Sequence, residues 1–301
     1  MDEVNGQEYW NADLWVDSEG LRELGLAEPA KEPRLGPIKS GQVGFIAAKP
    51  GVGKSMFALA IAIRLSQGLS LGHWGGSKER NITKLINAEM TNRDLNERYQ
   101  SMVGGDEPAV YFNTSGIREK LGYSPFSLGD PEHQMWLRHT AGGAECIIVD
   151  NVTFTLDPAP GGNMYSPETI NQVRPLLSWA HNTNRTLILI DHKNAEGQLA
   201  GSLQKQRMAD WVMLLERDDC VGDMELAFTL TWDKYRDRDG PKSGDQESWY
   251  LDSIGEWHGR NIPKLPDLVM ELVRDGATQK DIAEELDVSV RHVRRIINSR
   301  K

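Results

Sequence analysis

One segment near the start of the chain restricts the possible folds more than any other. The apolar run 42–47 precedes a glycine-containing loop at 48–54, which leads into a strongly apolar helical pattern at 54–67. A strand, a glycine loop and a helix in this order are the setting of a phosphate-binding loop, in which backbone N–H groups and the helix N-terminus surround phosphate oxygens. The segment therefore predicts an α/β domain that binds a nucleoside triphosphate.

The loop residues have distinct expected roles. Ala48 stands where the motif usually has its first glycine, so a chance Gly-Lys-Ser turn is the alternative, and the flanking strand and helix argue against it. Lys54 is expected to reach the β- and γ-phosphate oxygens, and the Ser55 hydroxyl to ligate Mg²⁺. The predicted cofactors are ATP and Mg²⁺. The predicted nucleotide-contacting residues are Ala48, Lys49, Pro50, Gly51, Val52, Gly53, Lys54, Ser55 and Met56.

Apolar runs recur along the chain, and helix-like stretches follow most of them. Such alternation is typical of a mostly parallel sheet flanked by helices. The predicted strands are 43–48, 82–88, 109–113, 146–150, 186–191, 211–216 and 226–233, with a last one near 248–251. The predicted helices of this part are 54–67, 92–102, 131–141 and 167–182.

The composition changes along the chain and predicts four segments. Residues 1–40 are acidic and contain Trp10 and Trp15, with a short helical pattern around 21–26, and predict an arm that packs on a neighbour. Residues 41–254 predict the α/β core. The Gly- and Pro-containing stretch 255–264 predicts a linker, and 265–301 predicts a small all-α helix-turn-helix tail.

Charge and composition exclude several classes of protein. A net charge of −10 argues against a protein that coats nucleic acid with its whole surface, so any DNA contact is expected to be local. Cys146 and Cys220 do not form a disulfide framework or a metal-ligand spacing. We expect no membrane partner, because no apolar run approaches about 18–20 residues. The acidic N-terminus lacks the pattern of a secretory signal, which predicts a cytoplasmic protein.

Two carboxylates follow predicted strands and are candidates for catalysis. Asp150 ends an apolar strand in the manner of a Walker B motif and is expected to hold Mg²⁺ together with Ser55, the alternative being a cap of the next turn. Many ATPases have a glutamate at the next position, where this chain has Asn151. Glu89 closes another strand and is predicted to orient the attacking water, although a lone glutamate there is more often a capping or surface residue.

These motifs resemble those of RecA-type hexameric helicases, and among them the small plasmid-encoded RepA-like helicase family. The resemblance covers about residues 40–252 and implies a RecA-like fold, ATP hydrolysis, a hexameric ring and DNA as partner. The matching segments are Gly53-Lys54-Ser55-Met56, Glu89-Met90-Thr91 with Leu95 and Arg98, the strand 147–150, the strand end 189–193, and Gly201-Ser202-Leu203 leading to Ala209-Asp210.

The same resemblance assigns a sensor and a finger. His192 would be the sensor of the γ-phosphate, although Asp191 departs from the family pattern and a hydrogen-bonded histidine at a strand end is the alternative. Lys234 and an arginine would enter the nucleotide site of the neighbouring subunit. A two-residue insertion leaves Arg236 and Arg238 as competing fingers, and a hairpin with solvated charges is the alternative.

Two parts of the chain are candidates for contact with DNA. The predicted loops 155–165 and 193–206 would face the channel of the ring, with Lys193, Lys205 and Arg207 as the basic residues. The tail predicts three short helices, with Thr278 and Ser289 as caps. The third helix is expected to turn Val290, Val293, Ile296 and Ile297 inward and Arg291, His292, Arg294 and Arg295 outward to DNA. Some folds of this kind bind protein instead.

The sequence as a whole predicts an ATP-hydrolysing, ring-forming DNA motor, a replicative-type helicase of a plasmid, phage or other mobile element. One alternative is a DNA-bound ATPase switch that acts as a regulator or loader without unwinding. Another is a KaiC-like regulatory ring, which requires the tail to bind protein.

Overall fold

The computed structural model describes residues 18–27, 30–103, 107–159, 162–163, 166–200 and 203–300. Trp10, Trp15, Gly201 and Ser202 lie outside these ranges. The strands are β1 (Pro33–Leu35), β2 (Ile38–Lys39), β3 (Val43–Ala48), β4 (Ile82–Asn87), β5 (Val110–Thr114), β6 (Ala144–Asp150), β7 (Thr186–His192), β8 (Trp211–Arg217), β9 (Met224–Tyr235), β10 (Gln246–Asp252) and β11 (Trp257–Ile262).

The helices surround the sheet or form the tail. Those before the tail are α1 (Ser18–Ala27), α2 (Lys54–Gln67), α3 (Asn92–Met102), α4 (Ser115–Lys120), α5 (Pro131–Thr140), α6 (Val152–Thr155), α7 (Pro167–Asn171), α8 (Arg174–Asn182) and α9 (Leu203–Met208). Those of the tail are α10 (Leu265–Arg274), α11 (Gln279–Glu285) and α12 (Val290–Ser299). None of the helices in the described ranges has the length and apolar character needed to cross a membrane.

A nine-stranded sheet forms the centre of the fold. Its order is β11-β10-β9-β8-β3-β7-β6-β4-β5. The pairings from β8 to β5 are parallel, and those among β8, β9, β10 and β11 are antiparallel. All residues of β3 are buried, as expected for a central parallel strand. The prediction of a mostly parallel, helix-flanked sheet is confirmed, and the carboxyl ends of β3, β7, β6 and β4 meet at one edge.

The two faces of the sheet bury separate apolar clusters. One contains α2, where Phe57 contacts the rings of Trp74, Phe228, Trp249 and Trp257 at centroid distances of 5.1–5.6 Å. The other lies around α5 and α8. Aromatic rings packed at such distances stabilise the fold by more than the burial of their apolar area alone. This cluster therefore fixes the phosphate-loop helix to the antiparallel strands.

The predicted helix 167–182 is two helices in the structure. α7 ends at Asn171, and α8 begins at Arg174 with Pro175 in its first turn. Proline lacks a backbone N–H and is accommodated at a helix start, whereas in a helix interior it removes a hydrogen bond. Pro175 therefore begins a new helix, and the prediction of one continuous helix is wrong.

The predicted linker 255–264 contains a strand. β11 pairs antiparallel with β10, and the Trp257 side chain is buried against Phe57 and Phe228. Gly255, with φ of 83°, lies in the turn before it. The glycines of this stretch thus belong to a hairpin, so the sheet extends to Ile262 and only a short connection precedes α10.

The tail forms three helices around its own small core. Thr278 and Asp281 form a capping box at the start of α11, and the Ser289 hydroxyl accepts a hydrogen bond from the backbone at the start of α12, as predicted. Val269, Ile282, Val293, Ile296 and Ile297 are among the buried residues. Val290 was expected to face inward but is 38% exposed, because it occupies the first helical position after the cap.

Candidate nucleotide site

The phosphate loop joins the central strand β3 to α2. Gly51 and Gly53 have φ values of 78° and 102°, in the left-handed region that side chains disfavour. A Cβ at Gly53 would lie 2.3 Å from the Leu226 side chain, so this glycine also permits a close approach of β9. The loop borders a cavity of about 420 Å³, lined by Gly51, Gly53, Lys54, Ser55, Met56, Glu89, Met90, Arg98, Glu225, Leu226 and Leu251.

The other predicted nucleotide-contacting residues do not line this cavity. Ala48 and Val52 are buried in the core, and Lys49 and Pro50 are exposed outside it. Glu225, Leu226 and Leu251 were not predicted as site residues. They come from the antiparallel strands, and nothing in their local sequence indicates that those strands border the phosphate loop.

Asp150 and Ser55 form a pair suited to a hard cation. The Ser55 side chain hydrogen-bonds to the Asp150 carboxylate, which is 1% exposed. Oδ1 of Asp150 is buried and has no hydrogen-bond partner among the described residues. Mg²⁺ prefers oxygen ligands, and an unsatisfied buried carboxylate oxygen beside a hydroxyl fits such an ion. These two residues could hold Mg²⁺ at the phosphate loop.

The protonation of Asp150 depends on the same environment. Burial raises the pKa of its carboxyl to about 6, although the hydrogen bond from Ser55 and the charge of Lys54 oppose this rise. The negative charge of Glu89 adds to it. A bound cation would oppose the rise further and favour the ionised carboxylate.

Glu89, Asn151 and His192 meet beside this pair. The Asn151 amide Nδ2 donates a hydrogen bond to the Glu89 carboxylate and lies 3.5 Å from His192 Nε2. Burial and the charge of Lys54 lower the pKa of His192, so its imidazole is neutral at pH 7. The structure therefore brings Lys54, Glu89 and His192 together at adjacent strand ends, as their positions predicted, and adds Asn151.

Lys193 and Lys205, the lysines predicted to contact DNA in the channel, do not present exposed, unpaired ammonium groups. Lys205 Nζ lies 2.5 Å from Asp191 Oδ2, and both side chains are almost fully buried. The Lys193 side chain is 3% exposed and pairs with Glu216 at 2.8 Å. Both ammonium groups are neutralised within the chain, which contradicts their prediction as DNA contacts in this conformation. Arg207 is exposed.

Replacing Lys205 with methionine is expected to destabilise the fold by about 3–5 kcal/mol, because the buried Asp191 carboxylate loses its counter-ion. The matched control is Lys193→Met, whose partner Glu216 is 68% exposed, so about 1 kcal/mol or less is expected. Urea unfolding midpoints measure both changes. Equal losses in the two variants would contradict the assignment of the Asp191–Lys205 pair as a buried ion pair that matters for folding.

The predicted finger residues lie at the other end of β9. Lys234 Nζ donates to the carbonyl oxygens of Gln206 and Ala209. The Arg236 guanidinium donates to the Arg207 carbonyl and lies 3.6 Å from the Asp210 carboxylate. Lys234 and Arg236 are therefore engaged within their own subunit.

Arg238 differs from these two residues. It is exposed, and its guanidinium has no partner among the residues described. Nine residues of β9 separate Leu226 at the phosphate loop from the strand end at Tyr235, a distance of about 30 Å for an extended strand. Arg238 therefore cannot reach the phosphate loop of its own chain.

The recognition-helix residues of the tail share one surface. Arg291, Arg294 and Arg295 are exposed on α12, and Arg294 Nε lies 3.4 Å from Gln279 Oε1. A shallow groove of about 610 Å³ is lined by Ser289, Arg291, His292, Arg294, Arg295 and Asn298. The structure thus brings together all four predicted tail residues on one positively charged face.

Comparisons with known proteins agree with this architecture. A family model described as an AAA domain matches residues 27–198, and a model described as a homeodomain-like domain matches residues 268–299. No curated protein sequence matches the chain. The homeodomain-like match coincides with the helices α10 to α12, which agrees with the predicted helix-turn-helix.

Solved structures share the fold at low identity. A DnaB-like replicative helicase, solved for its interactions with primase, has a TM-score of 0.55 and 16% identity, over 82% of this chain and 68% of that chain. A second solved structure, an ATPase domain, has a TM-score of 0.52 and 15% identity, over 80% of this chain and 95% of that chain. The flagellar accessory protein FlaH from Methanocaldococcus jannaschii has a TM-score of 0.51 and 12% identity, over 75% of this chain and 91% of that chain.

At these identities the structural likeness establishes the fold alone, whereas the AAA-domain model covers more than half of the 301 residues. The chain is therefore a member of the AAA domain (AAA_25) family of P-loop ATPases, with a RecA-like fold and a C-terminal homeodomain-like helix-turn-helix.

Proposed function

We propose that this protein is an ATP-hydrolysing, ring-forming DNA motor of the replicative helicase type, acting in the cytoplasm of a cell that carries a plasmid, phage or other mobile element. The observation that carries the proposal is the distance between the phosphate loop and the proposed arginine finger, two parts of one nucleotide site. Lys54 and Glu89 lie at one edge of the sheet, and Arg238 lies at the opposite end of β9. A complete site then requires two subunits.

Residues at the phosphate loop divide the chemistry between them. Lys54 and the loop N–H groups hold the β- and γ-phosphates, and Ser55 and Asp150 would hold Mg²⁺, which neutralises phosphate charge when bound. Glu89 orients the water that attacks the γ-phosphorus. The proposed sensor of the γ-phosphate is His192, and its contact with the Asn151 amide beside Glu89 supports that role.

The finger supports assembly as a ring. A guanidinium from a neighbour stabilises the charge of the transferring phosphoryl group, and it is provided by a head-to-tail contact that closes a ring when the rotation permits. We infer six subunits, because the motifs around Lys54, Glu89 and His192 resemble those of hexameric RecA-type helicases.

The tail gives the motor a place to dock on duplex DNA. Residues 265–301 form the DNA-binding unit of the proposal, joined to the core after β11. The proposed arm that contacts a neighbour precedes β1 and does not extend to residue 40 as predicted, because Leu35 and Ile38 are buried in the core of this chain. The arginines of α12 present the donors that meet phosphates and guanine edges in a major groove.

A second candidate is a DNA-bound ATPase switch that does not unwind DNA. The observation that favours it is the burial of Lys193 and Lys205 in ion pairs, which removes two of the three predicted cations from the channel loop. A motor that tracks single strands normally has a positively charged groove.

One experiment separates the two candidates. ATP hydrolysis is measured alone, with single-stranded DNA and with duplex DNA, and is followed by a strand-displacement assay. A motor is stimulated by DNA and separates strands. Robust hydrolysis that DNA leaves unchanged, with no strand separation, would overturn the motor proposal.

Replacing Arg295 with alanine is expected to weaken duplex binding and to reduce the dependence of log Kd on log salt by about one unit, because one phosphate contact is lost. Fluorescence anisotropy over a salt series measures both quantities. The matched control is Arg274→Ala, an exposed arginine of α10 that does not line the groove. Equal losses in the two variants would contradict the assignment of α12 as the DNA-reading surface.

A further inference from the structure

Asn151 stands at the position that follows the Walker B aspartate. Its side-chain amide makes hydrogen bonds at both ends, through Nδ2 and through Oδ1. It is fully buried between the ends of β6 and β4. Its Nδ2 donates to the Glu89 carboxylate, and its Oδ1 accepts a hydrogen bond from the Phe154 backbone N–H at 3.0 Å. One amide thus connects the proposed catalytic carboxylate to the first turn of α6.

These two partners determine how the amide is oriented. A carboxylate only accepts hydrogen bonds and a backbone N–H only donates, so Nδ2 must face Glu89 and Oδ1 must face Phe154. The chain at Asn151 is further fixed by the Thr155 hydroxyl, which donates to the Asn151 carbonyl at 2.8 Å. The Asn151 side chain is therefore held in one orientation, and it presents a fixed donor to a carboxylate that is itself exposed.

We infer that Asn151 is the positioning residue of Glu89: its amide holds the carboxylate beside the phosphate loop, in line with the place of the attacking water. The inference rests on the proposed role of Glu89. Without the donor, an exposed glutamate at a strand end samples several rotamers, and general-base catalysis depends on one geometry.

The inference also accounts for the missing glutamate at position 151. A carboxylate there would lie next to both Asp150 and Glu89, and three like charges at adjacent strand ends would repel one another. A neutral amide instead satisfies Glu89 and leaves Asp150 to the cation. The residue types at 89 and 151 therefore work as a pair, with the base on one strand and its anchor on the next.

A purely structural role is the competing explanation, since Asn151 also caps α6. Two variants separate the roles. Asn151→Ser keeps a good capping oxygen but is too short to reach Glu89, and Asn151→Asp keeps the cap but replaces the donor with a repelling carboxylate. Asn151→Ala loses both contacts.

The measurements are kcat and KM for ATP, together with urea unfolding midpoints, on the full chain. The inference predicts that Asn151→Ser and Asn151→Asp reduce kcat by about 10²-fold or more, with KM within a few-fold of the unaltered protein. The unfolding midpoint of Asn151→Ser stays close to that of the unaltered protein, whereas Asn151→Asp lowers it because a buried carboxylate is repelled by Asp150 and Glu89. Wild-type kcat in both Asn151→Ser and Asn151→Asp, with Asn151→Ala destabilised relative to Asn151→Ser, would show that Asn151 is only a cap.

Glu89→Gln distinguishes a failure of this inference from a failure of the proposed function. If Glu89→Gln retains turnover, the proposed role of Glu89 is wrong whatever Asn151 does. If Glu89→Gln is inactive, the double variant Glu89→Gln/Asn151→Ser should be no slower than Glu89→Gln alone, because the anchor has no base left to position. Additive losses in kcat would overturn the positioning role.

Discussion

Replacing Lys54 with alanine is expected to reduce ATP hydrolysis by about 10²–10³-fold or more, because the γ-phosphoryl group loses a charge placed where negative charge develops. Lys54 opens α2, is 5% exposed and lines the nucleotide cavity with Ser55 and Glu89. A phosphate-release assay at saturating ATP measures the change. The unfolding midpoint of the variant shows that the fold is retained.

Lys49 is the matched control for this prediction. It belongs to the same loop but is exposed and does not line the cavity. Lys49→Ala should therefore hydrolyse ATP within a few-fold of the unaltered protein. Comparable losses in both variants would indicate that the cavity is not where the phosphates bind.

Local sequence patterns were sufficient to predict the phosphate-loop half of the site. The helices 54–67 and 92–102 are confirmed at their predicted bounds, because apolar periodicity and the loop glycines are signals within a few residues. The convergence of Glu89 and Asp150 followed from one rule, that parallel strands bring their carboxyl ends to one edge.

The errors have a different physical origin. Lys193 and Lys205 are ordinary basic residues in the sequence, and only their contacts with Glu216 and Asp191 show that they are neutralised. These partners lie 23 and 14 residues away. Likewise, the strand at 257–262 is fixed by the burial of Trp257, which no local pattern of glycines reveals.

Under the proposed function, Arg238 connects the fold to assembly. β9 begins at the phosphate loop and ends at Tyr235, so the strand that covers one nucleotide site carries its arginines to the far end of the sheet. Lys39 pairs with Asp237 there and holds the segment that carries Arg238. Under the proposed function, the sheet thus acts as a rigid spacer. It separates the phosphate loop, where a subunit binds its own nucleotide, from Arg238, which enters the nucleotide site of the neighbouring subunit.

Replacing Arg238 with alanine is expected to reduce turnover by about 10³–10⁵-fold, as the loss of a finger does, while nucleotide binding is retained. Arg236→Ala is the matched comparison, because that guanidinium is held by Asp210 and the Arg207 carbonyl of its own chain and has a smaller expected effect on turnover. Fluorescent-nucleotide binding and phosphate release measure the two properties separately.

Mixing two inactive variants tests whether the finger acts in trans. In mixed rings of Lys54→Ala and Arg238→Ala, about one interface in four combines an intact Lys54 with an intact Arg238 from the neighbour, so activity should return in part. A finger that acted within its own chain would give no recovery, since neither variant carries both residues. Full turnover in both the Arg236→Ala and Arg238→Ala single variants would exclude a trans arginine on this strand, and hydrolysis would then not depend on assembly through it.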